Sequence, residues 1–255
     1  MLTVRRPLAA ALGALALTGL SLTALAGPPA AKSPSGKSLV IPEAHQKLGT
    51  VYHALPGRDR QVFFDSDAPV ERIKGQSNQV IGYCIAGKDN PANLKAGEWH
   101  LPVKSMRTGN RTRDRHLTEA NWLNAPANPD VIFALKEVKD LAAQGEGGKT
   151  WTGTLVGEMT INGVTKLISI EKATIASVAG GDDKAAGIKG DLLAIRCKHQ
   201  VALADFNVKN PNIGSKVADT LALETTLYMS TVKPEDQPSP ASESPEKKDG
   251  APDRK

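Results

Sequence analysis

The sequence predicts an all-β protein, an antiparallel barrel or sandwich of about eight strands with one short helix. Three observations carry this. In "TWTGTLVGEMTING", Trp151, Gly153, Leu155, Gly157, Met159 and Ile161 share one face, while Thr152, Thr154, Val156, Glu158 and Thr160 share the other. Asn162-Gly163 then supplies a tight hairpin turn, and "VTKLISIEKATI" returns as the partner strand. Clusters of Gly, Asn, Asp and Pro, as in "GKDNPANLKAG", "NAPANPD", "QGEGGK" and "AGGDDKAAG", cut the remainder into hairpin-sized pieces.

In chain order, residues 1–26 read as a secretory signal peptide: Arg5 and Arg6, an apolar run over 8–26, and the small-residue site Ala24-Leu25-Ala26 before Gly27. Residues 27–50 begin with the Pro-, Ser- and Gly-rich "GPPAAKSPSGKSLV" and read as a flexible linker. The strand candidates that follow are "RQVFFDSDA", "QVIGYCIAG", "GEWHLPVKS", "DVIFALKEVKD", the two strands of the Asn-Gly hairpin, "KGDLLAIRCKHQVAL" and "DTLALETTLYMS". The last alternates Leu221, Leu223, Thr225, Leu227 and Met229 against Ala222, Glu224, Thr226 and Tyr228. The one helical candidate covers residues 111–123. From 233 to 255 five prolines, dense charge of both signs and no aromatic residue predict a disordered tail. The folded domain is therefore expected over 51–232. After signal cleavage no stretch reaches the roughly 20 apolar residues of a membrane span, so the mature protein is expected to be periplasmic or secreted, without a transmembrane anchor.

The formal net charge is +5 and aromatic residues make up 4% of the chain. Export and the scarcity of stacking side chains argue against a nucleic-acid partner. Cys84 and Cys197, the only cysteines, both fall in strand candidates and belong to no CxxC pair. One disulfide, or two buried thiols, fit equally. Neither a GxSxG elbow, HExxH, a P-loop nor a GxGxxG after a strand is found, and the five histidines lack ligand spacing. No catalytic residue, cofactor or metal is therefore expected.

The stretch "SMRTGNRTRDRHLTEANWL" holds four arginines, a histidine and an aspartate between two strands. Asn110 is a good N-cap, and the turn after it presents Arg113, Asp114 and His116. Arginine forks suit a phosphate or carboxylate. The structural alternative pairs Arg113 with Asp114 and closes one end of the barrel.

These residues resemble a known family. "SMRTGNRTRDRHLTEANWLNAPANPDVIFALKEV", followed by "GTLVGEMTINGVTKLISI", is similar to the YceI-like family of bacterial exported proteins. Its TGN, RD and HL elements fall here on Thr108, Gly109, Asn110, Arg113, Asp114, His116 and Leu117. Pro129 and Phe133 follow, and then the hairpin elements Gly157, Thr160, Ile161, Gly163, Val164, Thr165 and Lys166. Upstream, Phe64, Ser66 and Gly75 match the first strands; downstream, Val217 and Asp219 match the last. The likeness runs over about 55–232. It implies a lipocalin-like antiparallel barrel around an apolar tunnel, with a polyisoprenoid or similar amphiphilic lipid as ligand and partner. By strand parity the expected tunnel lining is Val62, Phe64, Leu155, Met159, Leu221, Leu223 and Leu227. The expected head-group residues are Asn110, Arg113 and His116. The alternative functions are a cell-envelope interaction module with a self-filled barrel and, further off, an enzyme acting on a bound amphiphile. Barrels often expose one face, which leaves room for a homodimer.

Overall fold

The side-chain alternation produces one antiparallel sheet, seen in a computed structural model that describes residues 38–57, 61–145, 147–178 and 187–238. Its strands are β1 (Thr50–Ala54), β2 (Val62–Asp67), β3 (Arg72–Ser77), β4 (Ile81–Ala86), β5 (Leu94–Pro102), β6 (Asp130–Gln144), β7 (Thr150–Ile161), β8 (Val164–Val178), β9 (Leu192–Ala202) and β10 (Thr220–Ser230). Eight close a barrel in the order β1-β4-β5-β6-β7-β8-β9-β10, with β10 returning to β1. Closure removes the exposed sheet edges that would otherwise invite further pairing. The barrel expected from the sequence is thus the fold observed.

β10 is the seam. It pairs with β9 over its whole length, with β2 at residues 222–225, and with β1 at Met229 and Ser230. β3 extends the β2 side and bridges to the segment after β5 through Gln76 and Arg107. The step from β1 to β2 is stitched by the buried side chain of Gln61, whose Oε1 accepts from the Val80 amide at 2.7 Å while its Nε2 donates to the Leu55 carbonyl at 3.1 Å. Satisfying both ends of a buried amide makes this break in the wall tolerable.

The eight stretches singled out by alternation omit β1 and β3. β1 lies at the start of the expected domain, in a stretch too short to show alternation, and in β3 ("RIKGQS") only Ile73 is a large apolar residue on the inward face. The linker expectation changes. Leu39 and Ile41 pack on the outward side chains Tyr83, Ile85 and Ala96 of β4 and β5, and α1 (Glu43–Gln46) follows, with His45 Nδ1 2.8 Å from the Tyr83 hydroxyl. Those outward residues are apolar because a strap covers them. At the other end, residues 233–238 form a turn at Pro234–Asp236. Gln237 holds the Lys189 backbone through two hydrogen bonds, of 2.8 and 3.0 Å. The expected signal peptide, and the expected tail from 239 onward, lie outside the described residues.

The helix forecast over 111–123 is shorter. α2 spans Arg111–Leu117 and stops at Thr118, whose hydroxyl donates back to the Arg115 carbonyl at 2.7 Å. Beyond it the chain turns so that Leu123 and Ala125 drop into the barrel core, with Leu117 and Trp122 packed against it. A continuous helix would not aim those four side chains the same way.

Inside, the parity expected for β7 is observed: Trp151, Gly153, Leu155, Gly157, Met159 and Ile161 are all buried, alternating with half-exposed Thr152, Thr154, Glu158 and Thr160. The glycines do not leave empty space. At Gly157 an added Cβ would lie 2.6 Å from the Phe133 ring, and the Phe64 ring covers Gly75 in the same manner. Gly157 and Gly75 each receive a neighbouring aromatic ring, whereas Gly153 is covered by the Val138 and Leu141 side chains. Cys84 and Cys197 are both buried free thiols, so the disulfide alternative is excluded. Cys84 Sγ instead sits 3.7 Å from Met229 Sδ.

Candidate functional site

A cavity of about 100 Å³ runs through the middle of the barrel. β5 and β6 line it with Trp99, Leu101, Val131 and Phe133, and β7 and β8 with Leu155, Met159 and Ile170. β9 adds Ile195, Cys197 and His199; β10 adds Leu223, Thr225 and Leu227; Val62 and Val80 complete the wall. No charged side chain among the described residues lines it. The lining is apolar because inward positions of consecutive strands carry apolar residues at every second place.

Five of the seven residues expected to line a tunnel meet at this cavity: Val62, Leu155, Met159, Leu223 and Leu227. Phe64 and Leu221 face the same core without bordering the space. Trp99, Phe133 and His199 border it and were not singled out for that role. His199 was legible, because it continues the inward series Ile195, Cys197, Val201 of β9.

The polar atoms of the lining fall into two kinds. Thr225 and Cys197 are cross-strand partners joined by a side-chain hydrogen bond, and burial pushes the Cys197 thiol up to about 11. By contrast, neither ring nitrogen of His199 has a hydrogen-bond partner among the described residues, nor does the indole nitrogen of Trp99. Burial lowers the His199 pKa, so the ring is neutral at physiological pH.

The wall around His199 is incomplete. β8 and β9 pair only through residues 174–178 and 192–196. From Cys197 to the end of β9 the strand keeps β10 as its only ladder partner among the described residues. The two parted strands are tied again beyond the split, where Lys166 Nζ meets Asp205 Oδ1 at 3.0 Å. The stretch of β9 that borders the cavity at Cys197 and His199 thus has no β8 ladder partner among the described residues.

The arginine stretch lies elsewhere. Asn110 caps α2, accepting from the amides of Thr112 and Arg113 at 3.0 and 3.2 Å. Thr108 organises the turn: its amide and hydroxyl donate to Asp114 Oδ1 at 2.7 and 2.6 Å, and its hydroxyl accepts from Arg113 Nε at 3.0 Å. Arg113 also forms an ion pair with Glu71, in the turn between β2 and β3. Arg113 and Asp114 are therefore linked through Thr108 rather than to each other. His116 Nε2 faces the Arg115 guanidinium at 3.5 Å, at the surface. None of Asn110, Arg113 and His116 borders the cavity.

A further polar cluster sits on the outward face of β5. His100, 2% exposed, places Nε2 2.8 Å from Glu98 and Nδ1 3.2 Å from Asp130. Burial alone would lower its pKa, but hydrogen bonds to Asp130 and Glu98 and their charges outweigh it and raise the pKa to about 9. No group of three or more His, Cys, Asp or Glu side chains among the described residues is arranged to hold a metal ion. No helix among them is long and apolar enough to cross a membrane.

Comparison with known proteins places this barrel. The chain is 31% identical over 137 residues to Protein YceI of Escherichia coli O157:H7, covering 54% of this chain and 64% of that one. It is 29% identical over 137 residues to a UPF0312 protein of Pseudomonas aeruginosa, with the same coverage. The chain thus spans 64% of the length of these curated relatives. Among solved structures, Burkholderia cenocepacia BcnA superposes with a TM-score of 0.49 at 16% identity, over 66% of this chain and 94% of that one. A polyisoprenoid binding domain from Saccharophagus degradans superposes with a TM-score of 0.48 at 9% identity, over 71% and 98%. The model of the YceI-like domain matches residues 45–229, and the chain belongs to the YceI-like family.

Proposed function

We propose that this chain is an exported binding protein, not an enzyme, that sequesters or carries one polyisoprenoid or similar amphiphilic lipid inside the barrel. The observation that carries the reading is the closed barrel whose central cavity is lined mostly by apolar side chains, with no charged group among the described residues that border it. Family membership supports it. Each buried CH2-sized unit of a ligand contributes about 0.8 kcal/mol, so a chain of a few isoprene units binds through apolar contact alone.

A space of about 100 Å³ does not hold such a chain as it stands. Lipid entry requires Met159, Leu223 and Leu227 to change rotamer and widen the tunnel. An unbranched thioether side chain such as Met159 adapts easily to such a change. The narrowness also favours one competing reading, a cell-envelope module whose barrel is filled by its own Trp99 and Phe133 rings, stacked with centroids 6.1 Å apart.

Native mass spectrometry of the protein purified without detergent from its own cell envelope separates the two. A stoichiometric lipid adduct, identified as isoprenoid after organic extraction, is the expected result. A bare protein mass that stays unchanged on incubation with isoprenoid lipids overturns the carrier reading in favour of the self-filled barrel. In the carrier reading the arginine stretch is a clamp: Arg113 and Asp114 spend their hydrogen bonds on Thr108 and Glu71 and fix the end of the barrel.

A further inference from the structure

The cavity is apolar but for a few atoms, and those atoms are not distributed at random. Thr225 and Cys197 satisfy one another. His199 is different: it lies on the inward face of β9, both ring nitrogens are buried, and neither has a partner. Buried polar groups are normally hydrogen-bonded, so one that faces a cavity without a partner is matched to something that enters the cavity. A neutral imidazole offers one N–H donor and one nitrogen acceptor. No carboxylate lines the cavity to hold the ring charged, and no lysine or arginine lines it to receive an anion. A diphosphate or carboxylate drawn inside would be a buried charge without a counter-ion. A hydroxyl or carbonyl meets neither obstacle.

The position of His199 along the wall adds to this. It falls in the part of β9 that has no β8 ladder partner among the described residues, so the polar end of a ligand would lie where the wall is least tightly paired.

We infer that His199 is the polar subsite of the barrel, and that it takes a ligand whose head is a neutral oxygen group, a hydroxyl or a carbonyl, hydrogen-bonded to the imidazole. This rests on the lipid-carrier reading above and deepens it: it moves head-group recognition from the arginine stretch to the inside of the barrel and replaces an anionic head with a neutral one. Trp99, whose indole N–H is the other unpartnered donor of the lining, is the internal control.

Three probes with one tail test it on the full chain: farnesol, its hydrocarbon counterpart farnesene, and farnesyl diphosphate, titrated by calorimetry or native mass spectrometry. Farnesene is the more hydrophobic, so a lining without a polar partner prefers it. With His199 as partner, farnesol binds wild type at least as tightly as farnesene and more tightly than farnesyl diphosphate. In His199→Phe the farnesol-to-farnesene affinity ratio drops about tenfold while farnesene still binds, the size expected for loss of one buried hydrogen bond. In Trp99→Phe the ratio is unchanged.

The proposal is overturned if wild type prefers farnesene, if farnesyl diphosphate is the tightest ligand, or if the ratio survives His199→Phe or collapses only in Trp99→Phe. The three-probe comparison on wild type decides the first two points even if a variant misfolds. Binding of all three tails without discrimination removes His199 as subsite and leaves the carrier reading standing. Failure of every tail to bind removes both.

Discussion

His100 and His199 both sit on barrel strands with their ring nitrogens out of water, yet their surroundings have opposite character. On the outer face of β5, His100 has a carboxylate at each nitrogen, Glu98 on one side and Asp130 on the other. On the inner face of β9, His199 has no partner at either among the described residues. The first arrangement holds a charged ring and the second a neutral one, and the directions of their pKa shifts differ accordingly. A polar side chain with every bond made inside the fold belongs to the architecture; one that faces a cavity with its bonds unmade is available to a ligand. The barrel wall, one strand thick, separates the two cases.

The largest expected effect comes from breaking the outer arrangement. His100→Leu removes the partner that Glu98 and Asp130 share and leaves the 2%-exposed Asp130 carboxyl without its imidazole. Breaking a buried ion pair from one side costs about 3–5 kcal/mol, and chemical denaturation should read a loss of that order. A loss under about 1 kcal/mol would mean that the network does not stabilise the wall, and the contrast with His199 would lose its first half.

Next in size is the response to pH, where the two histidines act with opposite sign. The folded pKa of His100 is raised to about 9, above its unfolded value of 6.5. Its contribution is therefore fully present below pH 6.5 and is lost as pH rises toward 9, a change on the order of 3 kcal/mol. His199 is shifted downward by burial, so its neutral ring is a native-state requirement. Stability from that source is present above pH 6.5 and falls as pH drops below it. His53, on the outward face of β1, is lowered as well, first by burial and then by Lys233. Thermal melts across pH 5 to 9 should show a shoulder on each side. His100→Leu flattens the alkaline one only, and His199→Phe reduces the acid one only; an alkaline slope that survives His100→Leu contradicts the assignment.

The sequence supports this contrast unevenly. The barrel was legible because it rests on the period-two series of β7 and β10 and on Asn162-Gly163, all of which are local signals. β3 was not, since Gly75 and Ser77 occupy inward places where only the neighbouring Phe64 ring and a second serine show why they are small. The cavity walls from Leu155, Met159, Leu223 and Leu227 followed from parity. Phe64 and Leu221 share that parity, but how far along the barrel the open space extends depends on side-chain volumes across strands far apart in sequence. The arginine stretch drew attention because charge is conspicuous in a sequence, whereas its use is set by Thr108 and Glu71, and the pairing of Arg113 with Glu71 across 42 positions has no local signature. His199 gave the reverse lesson: its parity was visible, and its lack of a partner was not.

The smallest effect tests the inner half of the contrast without any ligand. Replacing His199 by phenylalanine removes two buried nitrogens that have no hydrogen bond and substitutes a ring of similar shape. Leaving a buried polar group unsatisfied costs about 1–3 kcal/mol, so the ligand-free variant should be as stable as wild type or more stable, by up to about 1 kcal/mol once the tighter fit of the larger ring is counted. Residues that sacrifice stability in the empty protein are what a binding site requires, because the same group becomes favourable only when its partner arrives. A ligand-free His199→Phe that is less stable by 2 kcal/mol or more would mean the imidazole already supports the barrel, and His199 would then join His100 on the structural side of the wall.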